Sequence, residues 1–173
     1  MSTPDGDVPT SIDGADLVAI EHQLGRVPRG ALSVAARCPC GCPTVVATSP
    51  RLPDGSPFPT TFYATCPRLT GAISTLESQG MMREMTERLG QDEELAAGHQ
   101  RAHEDYLRRR AQLGQVEEIA GVSAGGMPTR VKCLHVLVAH SLAAGPGVNP
   151  LGDEALAALP QWWSAGCCAP SGE

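Results

Sequence analysis

The chain has 173 residues, a formal net charge of −6 and 42% apolar residues, but only 3% aromatic residues. This length suits one domain whose core is built from small aliphatic side chains. The acidic balance disfavours general nucleic-acid binding, and no apolar run approaches the ~18 residues of a membrane span. The N-terminus has neither a basic start nor an apolar run, so we expect no secretory signal and a cytoplasmic protein.

The residue pattern predicts one α+β domain over residues 12–164. Before it, residues 1–11 are polar and rich in Pro, Gly and Asp, which predicts a disordered N-terminal tail, and residues 165–173 are predicted to be a C-terminal tail. The first element of the domain is a short helix that Asp13 caps and Gly25 ends.

Two short apolar runs, 31–37 and 44–48, flank a turn with three cysteines and are predicted to pair as a hairpin. A proline-punctuated loop follows, and then a β-branched and aromatic third strand at 60–65. The prediction is a small antiparallel sheet of about three strands that carries a cysteine knuckle at the tip of its hairpin.

Helical spacing of apolar residues begins at Pro67, which is favourable as a first helical residue. About five or six helices are predicted to pack against the sheet. The longest is polar, so we expect its His99 and His103 to lie at the surface and Arg108–Arg110 to form a solvated end. The helix predicted at 131–144 is apolar on nearly all sides, so it is expected at the centre of the core. The helices predicted after the sheet are 67–80, 81–89, about 92–113, 131–144 and one that Asp153 caps and that runs through Leu159.

Seven cysteines are an odd number for complete disulfide pairing. In a reducing compartment, clustered cysteines indicate metal binding or catalysis. Structural zinc takes four Cys or His ligands. The hairpin turn supplies Cys38 and Cys40, the third strand delivers Cys66 at its end, and Cys133 stands at a helix start. These four are the predicted zinc ligands.

Other interpretations of the cysteines stay open. One residue separates Cys38 from Cys40, fewer than in typical zinc knuckles, and buried thiols can also pack as inert apolar groups. His135 or His140 can take the place of Cys133, but a regular helix would not aim more than one of the three at the same ion. The sequence assigns no role to three further cysteines, Cys42, Cys167 and Cys168.

A glycine-rich loop, 123–129, leads into the apolar helix. Gly125 and Gly126 leave backbone N–H groups accessible, and Arg130 and Lys132 add positive charge beside a helix start. The pattern predicts an anion-binding loop for phosphate or carboxylate, although it is not a P-loop. The competing interpretation is a flexible connector with a solvated basic flank.

The same residues allow an enzyme instead of a binding module. A helix start, Arg130 and Lys132 would lower the pKa of Cys133 and favour its nucleophilic thiolate, with His135 or His140 as base. The alternative function is therefore an enzyme that acts on a phosphorylated or carboxylated small molecule.

Four stretches of this chain resemble a bacterial family known as domain of unknown function 501. The resemblance implies that Cys38, Cys40, Cys66 and Cys133 belong to the family pattern, but it implies no activity. Relatives are often encoded beside a septum-formation initiator and an exopolyphosphatase, which suggests a link to cell division or polyphosphate. The sequence thus predicts a zinc-stabilised binding module for an unidentified protein or a small anion. The stretches that carry the resemblance are 37–41, 57–67, 123–135 and 145–153.

Overall fold

The structure is a computed structural model that describes residues 11–164 and Gly166, so the two predicted tails lie almost wholly outside the described residues. No helix within these ranges has the length and apolarity needed to cross a membrane. The elements in chain order are α1 (Gly14–Leu24), β1 (Ala31–Arg37), β2 (Pro43–Thr48), β3 (Phe62–Ala64), α2 (Pro67–Ser78), α3 (Met81–Leu89), α4 (Glu93–Leu113), a short 3₁₀ helix (Glu117–Ile119), α5 (Leu134–Ala144) and α6 (Pro150–Ala158).

The strands form an antiparallel sheet in the order β1-β2-β3, with Val46 of β2 opposite Tyr63 of β3. Successive side chains of a strand point to opposite faces. Val45 and Ala47 accordingly belong to the main core, whereas Val46 joins a smaller cluster with Ile20 of α1 on the other face. Three strands and six α-helices in the described ranges confirm the predicted α+β class.

Helix α5 lies at the centre of the main core, as its apolar sequence predicts. It packs against the sheet, α2 and α6. The helix begins at Leu134 and not at residue 131. Cys133 precedes it as the N-cap, with φ −153° and ψ 113°, an extended conformation. The last residue before α5 therefore does not follow helical geometry.

Helix α4 is more buried than its polar sequence suggests. His99, His103 and Arg110 are 0%, 8% and 5% exposed, so the prediction that they lie at the surface is wrong. Tertiary partners make this burial tolerable: His99 Nε2 lies 3.1 Å from the Arg130 carbonyl oxygen, and Arg110 donates to the Ile119 carbonyl at 2.8 Å. Helical periodicity cannot reveal such partners because they lie in segments that follow the helix.

Helix α6 begins earlier than predicted. Asn149 is its N-cap and accepts a hydrogen bond from the Gly152 N–H at 2.8 Å, and Pro150 takes the first helical position. Asp153, the predicted cap, instead accepts a bond from the Gly147 N–H at 2.8 Å. An Asn-Pro pair is itself a strong helix start signal, because proline at that position forgoes no intrahelical bond.

Candidate metal centre

The junction of α2 and α5 brings three metal-ligand side chains together. Glu77 lies in the last turn of α2, Cys133 is the N-cap of α5, and His135 lies in the first turn of α5. One ligand atom from each lies within 4.8 Å of the other two. Among the described residues, this is the group of Cys, His, Asp and Glu side chains whose spacing suits a metal ion.

Helix α2 presents one polar stripe to the start of α5. Thr70, Ser74 and Glu77 are spaced i, i+4 and i+7 and so share a face of the helix. The His135 ring lies along this stripe, with Nε2 3.3 Å from the Thr70 carbonyl oxygen and 3.4 Å from Ser74 Oγ. Because a carbonyl oxygen can only accept a hydrogen bond, the Thr70 contact favours a proton on Nε2, whereas the Ser74 hydroxyl can pair with either tautomer.

The other ring nitrogen, Nδ1 of His135, is in direct contact with Oε1 of Glu77. Cys133 Sγ belongs to the same group. A neutral ring with its proton on Nδ1, or a doubly protonated ring, donates a hydrogen bond to Glu77 here. If the proton is on Nε2 alone, Nδ1 presents its lone pair toward the carboxylate, and a metal ion bound by both groups would offset their repulsion.

The pKa values of the two groups shift toward the charged forms. Burial raises the pKa of the Cys133 thiol, but the neighbouring His135 ring and the Val136 backbone N–H outweigh burial and leave that pKa below its ordinary value. The pKa of His135 is raised, first by Cys133 and further by Glu77, against the effect of burial. The site thus favours a thiolate, the form in which cysteine binds metals and attacks electrophiles.

The site is sheltered without being closed. The side chains of Glu77 and His135 are 20% and 31% exposed, and Cys133 is partly buried. Partial burial strengthens electrostatic interactions, while the exposed side leaves room for a water molecule or a small ligand. Three protein ligands with one free position is the arrangement that zinc has in its open sites.

Of the four predicted cysteine ligands, the group contains Cys133. The other three, Cys38, Cys40 and Cys66, are not part of it. Cys66 is fully buried as the N-cap of α2, and Glu77 lies about 16 Å further along that helix axis, from a rise of ~1.5 Å per residue. Zinc binding by all four thiols stays a prediction.

The cysteine knuckle has the predicted hairpin geometry. The Cys38 N–H donates to the Cys42 carbonyl at 2.8 Å, and the Gly41 N–H donates to the Cys38 carbonyl at 2.8 Å. Gly41 has φ +92°, a conformation that favours glycine. The turn therefore holds Cys38, Cys40 and Cys42 close together, with Cys38 in the main core.

Cys133 and His135 lie close together, although a regular helix through both residues would point them apart. Cys133 is instead an extended N-cap, so its side chain is not held about 200° around the helix from His135. The two side chains therefore converge.

His140, the other histidine considered, lies in a different place and has different partners. It is completely buried, with Nε2 2.8 Å from Asp105 Oδ2 and Nδ1 3.1 Å from Asn149 Nδ2. Both ring nitrogens are thus engaged, Nε2 as donor to the carboxylate and Nδ1 as acceptor from the amide. Burial lowers the pKa of His140 despite the nearby carboxylate.

The glycine-rich loop is tightly folded upon itself. The Lys132 N–H donates to the Gly125 carbonyl at 2.7 Å, and the Arg130 N–H donates to the Gly126 carbonyl at 3.1 Å. A Cβ at Gly126 would come within 2.9 Å of the Arg130 oxygen and the Lys132 nitrogen. These bonds position the chain directly before Cys133. Anion binding by Gly125, Gly126, Arg130 and Lys132 stays a prediction.

Glu77 is not among the ligands predicted from the sequence, which are cysteines with histidine as the alternative. One signal for this residue was present. Glu77 directly follows Leu76 on a helix whose apolar positions are Leu69, Ile73 and Leu76. An acid at the edge of a buried stripe is a candidate for pairing or for metal binding.

The profile of a family described as a protein of unknown function, DUF501, matches residues 34–157. The chain belongs to this family. The matched region includes Glu77, Cys133 and His135, whereas α1 lies outside it. The match confirms the resemblance that the sequence motifs indicate. No curated protein and no solved structure matches the chain.

Proposed function

We propose that the protein is a zinc-binding module whose ion is held by Glu77, Cys133 and His135. The observation that carries the proposal is the convergence of a thiol sulfur, an imidazole nitrogen and a carboxylate oxygen within 4.8 Å. Zinc accepts all three ligand types, whereas magnesium and calcium prefer oxygen alone. With the ring proton on Nε2, the ion would also offset the repulsion between the Nδ1 lone pair and Glu77 Oε1.

The surroundings of His135 support this assignment. A histidine that binds a metal through one nitrogen commonly donates the other N–H to a carboxylate or a backbone carbonyl, which fixes the ring. The Thr70 carbonyl, 3.3 Å from Nε2, is such a partner. It leaves Nδ1 as the metal-binding atom and aims it at Glu77 and Cys133.

Zinc at this position would connect the end of α2 to the start of α5. Because the ligands are assembled by folding, metal binding adds directly to the free energy of unfolding. The fourth coordination position would take water, a small anion or a side chain of a protein partner. Cytoplasmic location belongs to the same proposal, since a reducing compartment keeps the thiol available.

A competing ligand set is the four cysteines Cys38, Cys40, Cys66 and Cys133. Both sets include Cys133, so loss of zinc from a Cys133 variant does not separate them. Variants of residues that belong to one set alone separate them. Glu77 and His135 belong only to the first set, and Cys40 belongs only to the four-cysteine set.

Zinc content of the purified protein tests the proposal. We expect about one zinc per chain in the wild type. The zinc affinity should fall by roughly tenfold to a hundredfold or more in each of the variants Glu77→Gln, Cys133→Ser and His135→Asn. His22→Asn is the matched control, because His22 is exposed on α1. Loss of zinc from Cys40→Ser with retention in Glu77→Gln would support the four-cysteine set, and a folded wild type without zinc would refute both.

The second candidate function is catalysis with Cys133 as nucleophile. It is favoured by the lowered pKa of Cys133 beside His135, with Glu77 orienting the ring. The substrate class would be a phosphorylated or carboxylated small molecule. The rate at which iodoacetamide alkylates Cys133 separates the two functions. A zinc-bound thiolate reacts slowly until a chelator removes the ion, whereas a free nucleophile reacts equally fast before and after the chelator is added.

A further inference from the structure

The outer face of the sheet carries a cavity whose lining includes none of the three residues of the metal centre. Helix α1 covers one part of this face, where Ile20 packs on Val46. Beyond the end of α1, a cavity of about 380 Å³ remains open between the sheet, the linker after α1 and the loop after β2. This volume is in the range of small-molecule sites. Its lining comprises Leu24, Arg26, Pro28, Arg29, Val46, Thr48, Leu52, Phe58 and Tyr63.

The floor and one wall of the cavity are apolar and aromatic. Val46 and Thr48 project from the same face of β2, and Tyr63 stands opposite Val46 on β3. The Phe58 and Tyr63 rings lie side by side, with centroids 6.5 Å apart and planes tilted by 41°. Such a surface suits a flat apolar group, which can stack on either ring.

The cavity also has polar groups without partners. Arg26 and Arg29 are exposed, and in the part of the chain that the structure describes neither forms an ion pair. Asp54 lies near Arg29, but its carboxylate accepts hydrogen bonds from the N–H and hydroxyl of Ser56. The Thr48 side chain is 3% exposed, and its hydroxyl has no hydrogen-bond partner among the described residues.

The loop that forms the remaining wall is held in place by its own hydrogen bonds. The Phe58 N–H donates to the Pro50 carbonyl at 2.8 Å, and the Leu52 N–H donates to the Ser56 carbonyl at 2.9 Å. Arg51 secures the loop further through Glu118, at 2.8 Å. A wall that is already ordered loses little conformational entropy when a ligand binds.

We propose that this cavity binds a small carboxylate with a flat apolar body, independently of the metal centre. The apolar body lies against the partly exposed rings of Phe58 and Tyr63. The carboxylate faces Arg26 and Arg29, whose planar guanidinium groups match its two oxygens. The charge of the rim explains why an anion enters a protein whose net charge is −6.

Two fluorescent probes of similar shape test the proposal on the full-length protein as purified, whatever its metal content. 8-Anilinonaphthalene-1-sulfonate carries one negative charge, and N-phenyl-1-naphthylamine is its neutral counterpart. We expect saturable binding of the anionic probe at one site. The double variant Arg26→Gln/Arg29→Gln should weaken it roughly tenfold or more, with less than about a twofold effect on the neutral probe, because only the anion uses the guanidinium groups.

The matched control is Arg68→Gln/Arg83→Gln, which removes the same charge from exposed arginines outside the cavity. Near-ultraviolet circular dichroism verifies that each variant is folded. Absence of saturable binding, an equal effect of the two double variants, or equal weakening of both probes would overturn the proposal. A further arm tests the carboxylate itself: 1-naphthoate should displace the anionic probe, and displacement by 1-naphthalenemethanol at the same concentration would contradict it.

Discussion

Cys133 shows how the conformation of one residue decides what a site can contain. In a helical conformation its side chain would point away from His135. As an extended N-cap, its side chain lies close to those of His135 and Glu77. The Cys-x-His spacing is visible in the sequence. The extended conformation at Cys133 follows a loop closed by the hydrogen bond from the Lys132 N–H to the Gly125 carbonyl, and residue spacing alone does not reveal it. The sequence therefore indicates both Cys133 and His135 as candidate ligands but treats them as alternatives to each other.

Buried histidines make stability depend on pH. Burial lowers the pKa of His99, His103 and His140. A histidine whose pKa is lower in the folded state binds protons more readily when unfolded. Its stabilising contribution is complete above the ordinary histidine pKa of about 6.5 and is lost as pH falls below it. His135, whose pKa is raised, has the opposite sign, since its contribution is complete below that value.

His99→Gln isolates one of these contributions. Glutamine can still donate to the Arg130 carbonyl but cannot take up a proton. We expect the free energy of unfolding to fall less steeply between pH 6.5 and pH 5 than in the wild type, by at most about 1.4 kcal/mol per pH unit. Urea denaturation at several pH values measures this slope, with exposed His22→Gln as control. Equal slopes for His99→Gln and wild type would show that His99 is not responsible.

At the scale of elements, periodicity predicted the helices and strands well, and their ends less well. The strands at 31–37 and near 44–48 and the helix starting at Pro67 have strong local signals. Helices α5 and α6 begin at places set by long-range contacts and by capping. For α6 the Asn149-Pro150 signal was available, and Asp153 appeared an equally good cap by residue type alone.

The contact between α5 and α6 depends on a glycine. A Cβ at Gly152 would lie 2.3 Å from both the Leu137 carbonyl oxygen and Ser141 Oγ. We expect Gly152→Ala to destabilise the protein by about 2–3 kcal/mol, because the two helices must separate or shift. Gly71 on α2 has open space around it, so Gly71→Ala should stabilise by about 0.5–1 kcal/mol through helix propensity. Chemical denaturation compares them, and a neutral Gly152→Ala would contradict the close packing.

At the scale of the whole molecule, patterning predicted the α+β class because a few short strands followed by several helices have few other ways to bury their apolar faces. The pairing of α2 with the start of α5 was beyond reach. Nothing local in the segment around Glu77 indicates that it faces Cys133, some 56 positions later in the chain. Of the three residues in the candidate site, the sequence indicated Cys133 and, as its alternative, His135, but not Glu77.

The most direct test of zinc binding by Glu77, Cys133 and His135 is zinc K-edge X-ray absorption of the purified protein. The proposed ligands predict one sulfur at ~2.3 Å and three nitrogen or oxygen neighbours at ~2.0–2.2 Å, one of them from water or another ligand. A shell of three or four sulfur atoms would contradict this site and favour the four-cysteine set.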